Sequence, residues 1–247
     1  MQPKIALQLW SIQEACQKDF KQILKDVKKA GYAGVEFAGY HGLTAEEVKA
    51  LLVELDLEVA ASHIPYEKLA NEYEATIAFE QTIGNSRIVV PYRSFPDFAG
   101  WQNFAQELKA LAEKLSKAGF ELYYHNHAHE FQEVPNTDLL TYLTAEAPAL
   151  KLEVDTYWVA FAGLSVEEYL TKQAPVVGLL HIKEMQEDPT ESTEIGKGIL
   201  PIDRYVAFAK KQNLPWLIVE QEAFQTLEPL EAMAVNYQAL AQIMKEC

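Results

Sequence analysis

Residues 121–131 read ELYYHNHAHEF, an ending that an ordinary core strand does not carry. The first half has the aromatic and apolar make-up of a buried strand, yet it runs straight into three histidines, an asparagine and a glutamate. In an extended chain alternate residues share a face, so Tyr123, His125 and His127 point one way and Tyr124 and Asn126 the other. A lone buried histidine is usually a satisfied core residue. Several together at a strand end need several partners, because each unpaired buried polar group is costly.

Working outward from that stretch, apolar runs recur on both sides: Ile5–Trp10, Gly34–Gly39, Glu58–Ile64 and Arg87–Tyr92 before it, Leu150–Asp155, Val176–Lys183 and Trp216–Glu220 after it. Helical patterns separate them. One runs from about Asp19 to a stop at Gly31, with Phe20, Ile23, Leu24 and Val27 at helical spacing. Thr44-Ala-Glu-Glu opens the next with a capping-box pattern. Others cover about 66–83, 97–118, 165–173, 202–212 and 229–245. Eight strands alternating with helices predict a single (β/α)8 TIM barrel over residues 1–247. A doubly wound sheet is the alternative, and it lacks support: no Gly-rich dinucleotide turn follows the first strand, and no P-loop motif occurs.

A barrel of this kind gathers functional groups at the C-terminal ends of its strands. Here Glu36, His63, His125, His127, Asp155, His181, Lys183 and Glu220 all fall at or near such ends, with Glu130 just beyond the fifth. Each also has a plainer reading: Glu36 as half of a structural ion pair, His63 as a loop cap, Asp155 as a helix cap, Glu220 as a salt-bridge partner of Lys183. Glu153, Glu184 and Glu222 read as solvated or supporting residues. A mixed carboxylate and imidazole set suits one divalent ion of the Mn, Mg, Co or Zn kind better than a thiolate-selected metal.

The formal charge of −15 argues against a nucleic-acid partner or an anionic membrane surface, both of which require a concentrated positive field. No window is apolar enough to span a bilayer, and the N-terminus shows no signal-peptide pattern, so a cytoplasmic protein is expected. Cys16 and Cys247 suggest no disulfide framework. A homo-oligomer is compatible with the sequence.

The segments YHNHAHEF (124–131), LEVDTYWV (152–159), HIKE (181–184), GKGILPID (196–203) and IVEQE (218–222) resemble, in order, motifs of the xylose-isomerase-like barrel superfamily of sugar phosphate isomerases and epimerases. The resemblance covers nearly the whole chain. It implies a metal held by Glu130, Asp155, His181 and Glu220. There is one departure: in the epimerases the ligand from the fifth strand is a glutamate inside the strand, near the place of His125.

The expected chemistry is an isomerisation or epimerisation of a sugar, sugar phosphate or cyclic polyol ketone, by proton abstraction through a metal-stabilised enediolate. Glu220, His125 or His127 would move the proton, and Lys183 would assist. Glu36, His63, Trp158 and Lys183 would bind the substrate; Trp10 and Phe37 are further candidates for its apolar face. Gly196-Lys197-Gly198 is a candidate phosphate loop or a simple turn. A dehydratase of the inosose or dehydroshikimate type, a relative of the apurinic-site endonucleases and a non-catalytic sugar-binding protein are the alternatives.

Overall fold

Alternation in the strands sorts their side chains into two layers, one facing the helices and one facing the barrel axis. The computed structural model describes residues 2–247. Strands β1 (Lys4–Gln8), β2 (Gly34–Phe37), β3 (Glu58–His63), β4 (Arg87–Val90), β5 (Glu121–His125), β6 (Leu150–Asp155), β7 (Val177–Ile182) and β10 (Trp216–Val219) close into a parallel barrel in chain order. A short antiparallel ribbon of β8 (Glu184–Met185) and β9 (Ser192–Thr193) follows β7 outside it. The expected (β/α)8 barrel is therefore the fold.

The helices are α1 (Gln13–Ala30), α2 (Ala45–Leu55), α3 (Tyr66–Asn71), α4 (Tyr73–Ile83), α5 (Phe98–Lys117), α6 (Leu139–Glu146), α7 (Thr156–Phe161), α8 (Val166–Gln173), α9 (Ile202–Gln212) and α10 (Pro229–Glu246). The apolar stripe of α1 buries Phe20, Ile23, Leu24 and Val27, each worth about 1.5–3 kcal/mol on burial. Thr44 and Glu47 form the expected reciprocal capping box of α2. Several boundaries differ from the sequence reading: β2 and β4 stop two residues early, at Phe37 and Val90, helix α6 is absent from that reading, and three further differences have a local cause. The first strand stops at Gln8, because the Gln8 side chain accepts the Trp10 N–H and starts a 3-10 turn over Leu9–Ile12. Helix α1 starts at Gln13 and kinks at Asp19. The stretch 66–83 breaks into two helices at Glu72.

Along the barrel axis the inward residues form layers. Trp216 and Tyr123 fill the lower end, with Ala6, Ala61, Val89, Leu179 and Ile218 in the same inner cluster. A Cβ on Gly34 would lie 2.8 Å from the Trp216 ring and 2.6 Å from the Glu58 carbonyl, so that position must be glycine for the indole to fit. The same parity then places Gln8, Glu36, His63, His125, Glu153, His181 and Glu220 toward the upper, C-terminal end. All are buried except His63, whose side chain is 10% exposed. Polar residues thus occupy the top of an otherwise apolar interior.

Candidate active site

His181, fully buried at the end of β7, links the two halves of this polar layer. Its Nε2 lies 2.6 Å from Glu36 Oε2 and 3.2 Å from Glu153 Oε2. Its Nδ1 faces the other way, 3.2 Å from Glu220 Oε2 and 3.9 Å from Asp155 Oδ2. His63 Nε2 sits 2.7 Å from Glu153 Oε2, with its ring stacked on that of His181. His125 Nδ1 approaches the same Glu153 oxygen at 3.4 Å. Gln8 Nε2 donates to Glu36 Oε2 at 2.7 Å and steadies it from β1.

Lys183, immediately after β7, has its ammonium 2.6 Å from Glu222 Oε2, 3.4 Å from Glu220 Oε2 and 3.8 Å from Asp155 Oδ2. The rings of Tyr157 and Trp158 lie 4.9 and 4.7 Å from it, an aromatic enclosure that favours the cation. Asp155 ends β6 and also caps α7, its Oδ1 accepting the Trp158 N–H at 3.1 Å. The cap reading of Asp155 holds, and its second oxygen, Oδ2, faces His181 and Lys183.

Burial dominates the electrostatics, and neighbours decide its direction. Burial pushes Glu36 up to about 7, reinforced by the Glu153 charge. It pushes Asp155 up to about 7 as well, with Lys183 opposing. Burial also works against ionisation of Glu220, but Lys183 and His181 outweigh it and hold that carboxyl well below its ordinary range. His181 is raised well above the usual imidazole value, since Glu153, Glu36 and Glu220 overcome its desolvation. His125 and His127 lack comparable support, and burial lowers them to about 4 and about 2. Both are neutral imidazoles at physiological pH.

The donor set fits a divalent cation. Ligand atoms of His125, Asp155, His181 and Glu220 all lie within 4.8 Å of one another, and an overlapping set consists of His63, His125, Glu153 and His181. Asp155 Oδ2 and His125 Nδ1 are buried without hydrogen-bond partners, as expected of atoms shaped to meet an ion rather than a donor.

Glu130, expected beside Asp155, His181 and Glu220, lies apart from them. It groups instead with His127 and His129. Its carboxylate accepts the Tyr124 hydroxyl at 2.9 Å and the His127 N–H at 2.8 Å, fastening the 3-10 turn 129–131 to the strand. The residue of β5 that groups with Asp155, His181 and Glu220 is His125. Burial pushes Glu130 up to about 7. A carboxyl raised in the folded state contributes most below its unfolded value and loses that contribution as pH rises through about 7. Glu130→Gln should therefore gain on the order of 2 kcal/mol relative to the parent between pH 5 and pH 8. Urea unfolding at both pH values measures it, and an unchanged difference would contradict a neutral Glu130.

A cavity of about 590 Å³ opens above the cluster, bordered by His63, His125, His127 and Glu220, with Trp10 and Tyr92 among its other walls. Trp10 and Tyr92 are 48% and 53% exposed. Glu36 and Lys183, read as substrate-binding residues, lie beneath this wall and support it. Trp158 lies tilted beside His127, ring centroids 5.4 Å apart and planes at 41°, and covers Lys183. Phe37 belongs to the layer between strands and helices.

The loop Gly196-Lys197-Gly198 is already occupied. The buried Glu184 carboxylate accepts N–H bonds from Met185, Gly196 and Leu200 at 2.9–3.2 Å. A Cβ on Gly198 would come within 2.2 Å of the Met185 carbonyl, which explains the glycine. An internal carboxylate fills the anion-binding nest that a phosphate would need.

Sequence reasoning passed over Gln8 and left Glu153, Glu184 and Glu222 as solvated or supporting residues; the structure gives all three supporting contacts. For Glu153 a signal existed: in LKLEVD it shares parity with Asp155, so a barrel that turns Asp155 inward turns Glu153 inward too.

Among the described residues no helix is long and apolar enough to cross a membrane. The chain is 25% identical to the rhizopine catabolism protein MocC of Rhizobium meliloti, over 88% of this chain and 78% of that protein. It is 23% identical to inosose dehydratase of Salmonella typhimurium, over 73% and 68% respectively. Among solved structures, a sugar phosphate isomerase/epimerase from Parabacteroides distasonis superposes with a TM-score of 0.82 at 18% identity, covering 99% of this chain and 96% of that one. The IolI protein with a bound zinc atom does so with a TM-score of 0.78 at 13% identity, covering 98% of each. A closed eight-stranded parallel barrel with its polar residues at the strand ends agrees with the family description that matches residues 24–247: the chain belongs to the xylose isomerase-like TIM barrel family.

Proposed function

We propose that this protein is a divalent-cation-dependent isomerase or epimerase acting on an unphosphorylated sugar or cyclic polyol ketone. The observation that carries the reading is the convergence of His125, Asp155, His181 and Glu220 beneath the cavity, with Asp155 Oδ2 and His125 Nδ1 near charged neighbours but without a hydrogen bond. A cation held by these four residues supplies positive charge against the oxygens of a bound ketone or diol. Glu220, kept ionised by Lys183 and His181, borders the cavity and takes the proton from the carbon beside the carbonyl. It returns that proton to the neighbouring carbon in an isomerisation, or protonated His63 supplies one to the opposite face of the same carbon in an epimerisation. Lys183 holds Glu220 and Glu222 in place, and His63, braced by Glu153, meets a substrate hydroxyl. Neutral His127 accepts a hydrogen bond at the cavity wall. The filled nest at Glu184 and the acidic surroundings favour a substrate without phosphate.

A dehydratase is the second reading, favoured by His63. Burial lowers its basicity, but Glu36 and Glu153 outweigh that and raise it above the ordinary imidazole value. A protonated imidazole at the cavity can give its proton to a departing hydroxyl. Incubating the Mn²⁺-loaded protein with ketoses and inososes in deuterium oxide separates the two. Isomerisation gives a product of the same formula carrying one solvent deuterium; dehydration gives loss of water and ultraviolet absorption. In either case Glu220→Gln should abolish the exchange, and full exchange in that variant would remove Glu220 as the base.

A further inference from the structure

Beside the cavity over the barrel mouth lies a second one, of about 420 Å³, between the turn that follows β1, the start of α1 and the segment joining β10 to α10. Both fall within the size range of small-ligand sites, roughly 300–1,000 Å³. They share two residues, Trp10 and Glu222. Trp10 leaves nearly half of its surface exposed, an uncommon state for an indole and one without a packing reason. Glu222 is held by Lys183 at 2.6 Å, so the partition between the cavities is anchored to the polar layer of the barrel.

The outer cavity combines half-buried apolar Phe224 and Leu230 with hydrogen-bonding Gln13, Glu14, Lys18 and Glu228. Carboxylates outnumber the ammonium, so a phosphate, nucleotide or carboxylate group is repelled. Carboxylates and an amide are good acceptors and donors for hydroxyls. An exposed indole offers an apolar face to the C–H side of a sugar ring. We infer that the outer cavity is a second carbohydrate subsite, so that the ligand is a neutral two-ring glycoside, with its reacting ring over Glu220 and His125 and a glycosyl ring beyond Trp10.

This inference rests on the proposed carbohydrate chemistry of the inner site, and the test separates the two. The Mn²⁺-loaded protein is titrated calorimetrically with glucose and myo-inositol as one-ring probes. Galactinol, maltose, isomaltose, cellobiose and gentiobiose are the two-ring probes. At least one two-ring probe should bind at least tenfold tighter than its one-ring component. Ala15→Trp, which fills the outer cavity from the half-buried start of α1, should cut that advantage below threefold and leave one-ring binding unchanged. Leu230→Trp, on the opposite wall, provides the same test should the first variant fold poorly. One-ring binding with no two-ring advantage, or an advantage that survives a folded blocking variant, overturns the second subsite and leaves the inner reading standing. If no probe of either size binds, the carbohydrate reading of the inner site fails and the second subsite falls with it.

Discussion

Asp155→Asn should lower divalent-cation affinity at least a hundredfold while leaving the fold intact. Asparagine caps a helix as well as aspartate does, so the bond to the Trp158 N–H and the start of α7 survive. The backbone contact from Asn126 Oδ1 to Asp155 N, 3.1 Å, is likewise untouched. Only the charge at Oδ2 is lost. Elemental analysis and Mn²⁺ titration would show the effect, and full retained stoichiometry would remove Asp155 from the ligand set. His125→Ala, measured beside it, should also weaken binding, whereas Glu130→Gln should not. Burial holds the Asp155 carboxyl near pH 7, so a cation must displace a proton there. Affinity in the parent should rise with pH through about 7, with protons released on binding.

The second large effect concerns stability. Lys183→Met leaves Asp155, Glu220 and Glu222 facing one another without the ammonium that now lies 2.6–3.8 Å from them. Removing one partner of a buried ionic group costs about 3–5 kcal/mol. Urea unfolding should show a loss of that order at pH 8. It should be smaller at pH 5.5, where carboxyls freed from Lys183 take up protons. Mn²⁺ should restore part of it by replacing the missing positive charge. A variant as stable as the parent at pH 8 would mean that these carboxyls are protonated or solvated in the folded protein.

The barrel was legible because its strands are short apolar runs between turn signals, and because the ionisable residues recur at their ends. That Asp155, His181 and Glu220 come together was legible for the same reason. His125 against Glu130 was not decided by the motif, since YHNHAHEF does not say where the strand stops. The strand stops at His125, and the next residues turn back so that Glu130 bonds to Tyr124. Helix α7 was invisible because six residues carry too little periodicity. Glu184 was left between a solvated and a supporting reading because its partners, Gly196 and Leu200, lie 12 and 16 positions away. Contacts of that range leave no local trace.

The bond between Glu184 and the 196–200 loop has a consequence for ligand choice. A free anion seeking those amides competes with a tethered one, whose effective concentration is about millimolar or higher. A phosphorylated metabolite present at lower concentration loses that competition unless its intrinsic affinity for the amides exceeds that of the carboxylate in proportion. Phosphate recognition could arise on this loop only after Glu184 was replaced, and the same replacement would loosen the β8–β9 ribbon that the carboxylate helps to fasten. Access of a free anion to these amides is thus coupled to the integrity of the loop itself.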